Sequence, residues 1–158
     1  MADKFEFISA TDKPALVAFS TPAWLEAARN ALNELGYKVH TAATHTDFLV
    51  RFSQVRYQVV ILEERFAAND MSENLTLQTL HNMPMGQRRH ATVILLGDSF
   101  QTFTPMQAFQ QSVHAVINTS ELFLLPQLIE KAVAENTLFL HSFNEAQTRA
   151  YETNSMEG

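Results

Sequence analysis

The chain has 158 residues, 46% of them hydrophobic and 18% charged, which suits one globular domain with an ordinary core. Its formal charge of −6 argues against a nucleic-acid partner, because general nucleic-acid binding needs a basic surface that displaces counterions from the phosphates. The absence of cysteine excludes disulfides, thiol catalysis and cysteine-ligated metal centres.

Strand and helix patterns alternate along the chain from residue 13 onward. Apolar runs predict five strands, at Ala15–Phe19, Lys38–Ala42, Val59–Leu62, Thr92–Leu96 and Ala115–Ile117. Continuously apolar strands are typical of a parallel sheet that is covered by helices on both faces. Because parallel crossovers are right-handed, we expect a flavodoxin-like, doubly wound α/β fold with strand order 2-1-3-4-5.

Residues that start and stop helices lie between these strands. Thr21 precedes a proline, which predicts a hydroxyl cap with proline in the first turn, and Gly36 is placed to end that helix in a left-handed conformation. Thr44 begins a second helix with Asp47 three residues later, a variant of the capping box. Thr104 repeats the pairing of cap and proline at the start of a short helix.

The last helix is predicted to begin near Pro126 and to be longer than the sheet requires. Its residues recur at alternating three- and four-residue steps, the spacing of a heptad, at Ile129, Ala132, Asn136, Phe139, Phe143, Ala146 and Ala150. The first half of this stripe must cover the sheet, whereas the second half needs another surface. A lone asparagine at such a position is a known device for fixing register or partner number.

The chain is therefore expected to divide into four parts. These are an N-terminal lead (residues 1–13), one domain (14–135), an extension of the last helix (136–151) and a flexible tail (152–158). The extension is expected to self-associate or to dock on a partner. The alternative is that it folds back on its own domain, over Phe5 and Phe7 in the lead.

Targeting and metal-binding signals are missing from the sequence. The first thirty residues lack a basic segment followed by an apolar core, and no apolar run approaches the ~20 residues that span a membrane. We therefore expect a cytoplasmic protein without a membrane partner. The six histidines are scattered, without the spacing of a metal site, so neither a metal nor another cofactor is predicted.

The carboxyl ends of the predicted strands, where open α/β sheets usually bind their ligands, carry little chemistry. They read Phe19-Ser20, Glu63-Glu64, Leu96-Gly97 and Asn118-Thr119, with no lysine and no glycine-rich loop. This sequence therefore predicts the architecture of the protein better than it predicts an activity.

The order and spacing of these elements resemble a response-regulator receiver domain over residues 14–134. The segment ALVAFSTPAWLEAARNALNELGYKV is similar to the receiver opening, in which a strand, an acidic pair and a helix lead through Gly-Tyr into the second strand. The segment YQVVILEE resembles the third receiver strand, which ends on the phosphoacceptor aspartate. The resemblance implies the CheY-like fold and a place in two-component signalling.

The resemblance also places the receiver phosphorylation pocket on particular residues. The acidic pair that holds Mg²⁺ falls on Phe19 and Ser20, the phosphoacceptor on Glu63, the phosphoryl-sensing hydroxyl on Leu96 and the lysine on Thr119. Phosphoryl transfer depends on a divalent ion and on cations that offset developing negative charge. The resemblance therefore implies a degenerate pseudo-receiver that is not an enzyme.

The function implied by this resemblance is protein–protein interaction independent of phosphorylation, with a signalling protein as partner or with a second copy in a homodimer. Receivers usually present the face of their fourth helix, fifth strand and fifth helix. Together with the helix extension, that face maps onto Met106, Phe109, Gln110, His114, Ile129, Phe139, Leu140 and Phe143.

Other interpretations stay open. In one, Glu63 mimics a permanently phosphorylated aspartate; its alternative is an ordinary carboxylate satisfied by loop amides. A weakly active receiver would use Glu63 and Glu64 as its acidic groups. A flavodoxin-like protein that binds a small ligand or flavin would share the topology, although the chain has only four glycines and none are clustered.

Overall fold

The computed structural model describes residues 8–157, apart from the side chains of residues 143, 144 and 151–157. The expectation that the last helix packs over Phe5 and Phe7 lies outside the described residues, as does the side chain of Phe143. No helix among the described residues combines the length and the apolar character needed to cross a membrane.

Five strands form one parallel sheet in the order β2-β1-β3-β4-β5, which confirms the predicted topology. Their bounds are β1 Pro14–Ala18, β2 Lys38–Ala42, β3 Val59–Glu63, β4 Thr92–Gly97 and β5 Ala115–Asn118. The partly polar β2 lies at one edge, and the fully buried β3 lies at the centre.

Within residues 8–157, six helices connect and cover the strands. They are α1 Pro22–Glu34, α2 His45–Gln54, α3 Leu75–Asn82, α4 Met85–Arg88, α5 Pro105–Gln110 and α6 Leu125–Glu157, with short 3-10 helices at Met71–Glu73 and Thr119–Leu124. Alternate residues of each strand enter opposite cores: Leu16 and Val60 pack with Phe48 of α2, whereas Val17 packs with Leu32 of α1. Both faces of the sheet are therefore buried, which explains the continuously apolar strands.

Helix ends agree with the predicted signals in two cases. The Thr44 hydroxyl accepts the Asp47 N–H at 3.0 Å, and the Asp47 carboxylate accepts the Ala43 N–H at 3.3 Å. Gly36 has a φ of 86°, and Tyr37 donates its N–H to the Leu32 carbonyl at 3.0 Å, so α1 ends in a Schellman motif.

The hydroxyl caps predicted at the two Thr-Pro starts were wrong. Thr21 occupies the N-cap position without a side-chain cap bond, and the Trp24 N–H bonds the Thr21 carbonyl at 3.1 Å instead. The Thr104 hydroxyl donates to the Gln101 carbonyl at 2.7 Å. Proline has no backbone N–H, so a proline in the first turn leaves one fewer unpaired N–H group for a side-chain cap to satisfy.

The long helix α6 corrects three expectations. Ile129 is fully buried in the core, so it cannot belong to an interaction face of the folded domain. Asn136 is also buried, and its Nδ2 donates to the Thr92 hydroxyl of β4 at 2.9 Å, so it anchors α6 to its own sheet instead of setting partner number. Residues 152–157 continue the helix instead of forming a flexible tail, since no proline or glycine interrupts the sequence there.

Candidate functional site

Glu63 is the last residue of the central strand β3, at the carboxyl end of the sheet. Its side chain is only 4% exposed, and its Oε1 accepts the N–H groups of Ser20 at 3.1 Å and Thr21 at 3.0 Å. The Ser20 hydroxyl in turn accepts the Ala67 N–H at 2.7 Å. One oxygen of the carboxylate at the phosphoacceptor position is therefore bonded to two backbone amides of the loop after β1.

Glu64 makes the corresponding contact on the other side of β3. Its Oε1 accepts the Ser99 N–H at 3.1 Å, and its own N–H donates to the Leu96 carbonyl at 2.9 Å. The side chain lies directly over Gly97, where an added Cβ would be 2.2 Å from Oε1. An alanine at position 97 would therefore force the Glu64 side chain to move.

Asn74 holds the backbone of both glutamates. It is fully buried, and its Nδ2 donates to the carbonyls of Glu63 at 3.0 Å and Glu64 at 3.1 Å. Its Oδ1 accepts the Leu77 N–H at 3.1 Å, so the same side chain caps α3. Sequence reasoning missed this residue, although asparagine directly before a helix is a recognisable cap signal.

The structure places the remaining predicted pocket residues in two different settings. Phe19 and Leu96 are buried in the apolar core shared with α1 and α6. Thr119 lies at the rim, where its hydroxyl donates to the Asp98 carboxylate, and Arg65 forms an ion pair with Asp98 at 3.4 Å. Among the described residues, no group of three or more His, Asp or Glu side chains is arranged to hold a metal ion.

We predict that Glu63 acts as a hydrogen-bond acceptor more than as a charge. Glu63→Gln keeps an oxygen for the Ser20 and Thr21 amides and should cost no more than about 1 kcal/mol in the free energy of unfolding, whereas Glu63→Ala removes the acceptor and should cost about 2–3 kcal/mol. Urea unfolding of both variants measures the difference. Equal losses would instead show that the negative charge is what the loop requires.

A second candidate site lies on the flank of the domain, between α5, the start of β5 and α6. It is a groove of about 890 Å³ whose lining is largely apolar, and we call it the α5–α6 groove. Four residues of the predicted interaction face line it: Phe109, Gln110, His114 and Phe139. Phe109 is 80% exposed and Phe139 is 64% exposed, so both aromatic rings are accessible.

The other residues of that predicted face do not line the groove. Met106 is exposed on α5, and Leu140 is partly exposed on α6 beyond the groove. The structure thus brings together the aromatic part of the predicted face.

Basic groups border the apolar lining of the α5–α6 groove. Arg88 donates to the Ser112 carbonyl at 3.2 Å, across the left-handed turn (φ 54°) that ends α5. The His114 Nδ1 accepts the Val93 N–H at 2.8 Å. Partial burial, and secondarily the Arg88 guanidinium, lower the pKa of His114, so the neutral imidazole that this bond needs is favoured.

No family model and no curated protein matches the chain. Solved structures do match its fold. A CheY-like receiver domain from Methanospirillum hungatei JF-1 is similar over 80% of this chain and 98% of its own, with a TM-score of 0.62 and 17% identity. The signal receiver domain of an HD domain-containing protein from Pseudomonas fluorescens Pf-5 is similar over 89% and 98%, with a TM-score of 0.61 and 18% identity.

A third solved structure is similar over most of the chain. A fusion that contains the trimeric coiled coil of yeast Spc42 is similar over 93% of this chain and 94% of its own, with a TM-score of 0.62 and 16% identity. Strand order, helix placement and these neighbours agree. The chain therefore has the fold of response-regulator receiver domains, extended by a long C-terminal helix.

Proposed function

We propose that this protein is a non-catalytic, phosphorylation-independent interaction module of receiver fold, acting in a cytoplasmic signalling or regulatory system. The observation that carries the proposal is the state of Glu63, whose carboxylate is buried and bonded to the Ser20 and Thr21 amides. Phosphoryl transfer to a carboxylate needs a divalent ion and a cation that offsets the developing negative charge. Phe19, Leu96 and Thr119 supply neither a carboxylate nor a cation.

The same geometry weighs against the alternatives in which this site acts directly. The bonds of Glu63 and Glu64 to loop amides favour the ordinary structural carboxylate over a phosphoryl mimic or a weakly active receiver. Binding activity is better supported on the flank, where the α5–α6 groove exposes Phe109 and Phe139. We propose that this groove, with the adjoining part of α6, binds a protein partner or a second copy.

The absence of phosphotransfer is directly testable. Incubation of the full chain with acetyl phosphate and Mg²⁺ should produce no phosphoryl adduct by intact mass spectrometry, while an active receiver domain treated in parallel should gain one. Glu63→Asp, which restores the residue that receivers use, should also remain unmodified because the metal ligands and lysine are still missing. An adduct on the wild-type chain would refute the proposed function.

A further inference from the structure

A second cavity lies between α2 and α4, at the opposite end of the sheet from Glu63. Its volume of about 540 Å³ is within the range of small-molecule sites. Arg56, which precedes β3, and His90, which precedes β4, both line it, so it lies at the amino ends of these strands. We call this cavity the α2–α4 groove. Its apolar lining consists of Leu49, Phe52, Val55 and Met83.

A stack of aromatic rings forms one side of the α2–α4 groove. The Phe52 ring stacks on the Phe48 ring and on the His90 imidazole, with a centroid distance of 5.6 Å in both pairs. Phe48 belongs to the buried core, so the stack connects the core to the groove. Leu49 and Met83 add further apolar side chains to the lining. The groove thus offers an apolar surface on which a small molecule can pack.

Arg56 gives the α2–α4 groove a positive charge that the described residues do not balance. Its side chain is exposed, and it makes no ion pair or hydrogen bond. No acidic residue lines the groove, although the chain has a formal charge of −6. Asp12 borders a neighbouring cavity together with Arg56, but its carboxylate pairs with Lys38 at 3.8 Å. A carboxylate that entered the groove would therefore meet a guanidinium whose planar fork matches it, without a competing anion.

The His90 imidazole is the second polar group beside this cavity. Both of its ring nitrogens are buried and have no hydrogen-bond partner among the described residues, which is uncommon for buried polar atoms. Partial burial, and secondarily the Arg56 guanidinium, lower the pKa of His90. Arg88 and Arg89, which precede it in the chain, are also positive. An anion at Arg56 would offset this positive charge and raise the pKa of His90.

We propose that the α2–α4 groove binds a small organic acid, whose carboxylate pairs with Arg56 and whose apolar body packs beside Phe52 and His90. This binding site goes beyond the proposed function, because the α2–α4 and α5–α6 grooves have no lining residue in common. It also differs from a flavodoxin-like site, which would lie at the carboxyl ends of the strands.

Occupation of the α2–α4 groove would stabilise α4. None of the four residues of α4 is buried, and two of them, Gly86 and Gln87, line the groove. A ligand that contacts α2 and α4 together adds packing to this sparsely packed segment. Because such a ligand binds the folded chain and not the unfolded one, it should also raise the midpoint of thermal unfolding.

Benzoate is the probe for this site on the full chain. It carries both a carboxylate and an apolar ring, whereas acetate lacks the ring and benzamide lacks the charge. In NMR titrations at constant ionic strength, benzoate should shift the His90 imidazole resonances with a dissociation constant of roughly 1–10 mM, as expected for so small a molecule. Acetate and benzamide should bind at least about fivefold more weakly. Benzoate should also raise the pKa of His90, and it should leave the resonances of His141 on α6 unchanged.

Two pairs of surface variants separate the charge from the apolar contact. Arg56→Gln should weaken benzoate binding at least about fivefold, whereas Arg29→Gln on the exposed surface of α1 should leave it unchanged. Leu49→Ser removes part of the apolar lining and should weaken binding about threefold. Val50→Ser is its control, since Val50 is exposed on the same helix but does not line the groove. Circular dichroism should show that all four variants are folded.

Several results would overturn the inference. These are a chain that does not bind benzoate in the millimolar range, equal binding of acetate or benzamide, and binding that is insensitive to both Arg56→Gln and Leu49→Ser. Benzoate binding that leaves the His90 resonances unchanged would place the ligand elsewhere and would also exclude the proposed site. None of these results would affect the proposed function, which fails only if the phosphodonor experiment gives an adduct.

Discussion

Gly97→Ala is expected to destabilise the domain by about 1–3 kcal/mol, because the added methyl group displaces a buried side chain. The new Cβ would lie 2.2 Å from Oε1 and 2.4 Å from Cδ of Glu64, so the side chain must move. Glu64 is buried and bonded to the Ser99 N–H, and its displacement would leave a carboxylate without that partner. Chemical denaturation of the variant measures the loss.

Two comparisons isolate the cause of this effect. Gly86→Ala is the matched control, because no atom lies within 4 Å of an added Cβ there and alanine favours the helix; it should be neutral or stabilising by up to about 1 kcal/mol. In a Glu64→Ala background, Gly97→Ala should cost less than about 1 kcal/mol because the clash is gone. An undiminished cost in that background would attribute the effect to the backbone of β4 instead.

Asn74→Ala is expected to cost about 2–4 kcal/mol. The substitution removes both donors from the Glu63 and Glu64 carbonyls and the acceptor from the Leu77 N–H, all of them buried. Each unpaired buried group carries a desolvation penalty of about 1–3 kcal/mol, offset in part by relaxation and water entry. Thermal or urea unfolding would record the loss.

A second variant separates the two roles of Asn74. Asn74→Asp keeps the oxygen that caps α3 but loses both donors, and it places a carboxylate near two carbonyls. Its cost should equal or exceed that of Asn74→Ala, while Asn30→Ala on the exposed surface of α1 should change stability by less than about 0.5 kcal/mol. If Asn74→Asp is mild, the cap is the main contribution and the carbonyl bonds are secondary.

Much of the fold could be predicted because its determinants are local. Every predicted strand agrees with the structure to within one residue at each end, since continuous apolar runs and turn residues specify both faces of the sheet. The strand order followed from the handedness of crossovers and not from any single residue.

The contacts that define the site were not predictable in this way, because they join distant positions. The amide bonds of Glu63 to Ser20 and Thr21 bring together residues 43 and 42 positions apart, and the bond between Asn136 and Thr92 spans 44. A heptad pattern cannot distinguish a helix that packs on its own sheet from one that packs on a partner, because both need a buried stripe. Asn136 was misassigned for this reason.

The two adjacent glutamates at the end of β3 fasten loops on both sides of that strand, the one after β1 through Glu63 and the one after β4 through Glu64. A conformational switch needs these loops to have two positions of similar free energy, and the hydrogen bonds to the two buried glutamates favour one of them. If the proposed function holds, the domain presents its binding surface in a single conformation. Information would then reach its partners through how many copies the cell makes, and not through a chemical event on each copy.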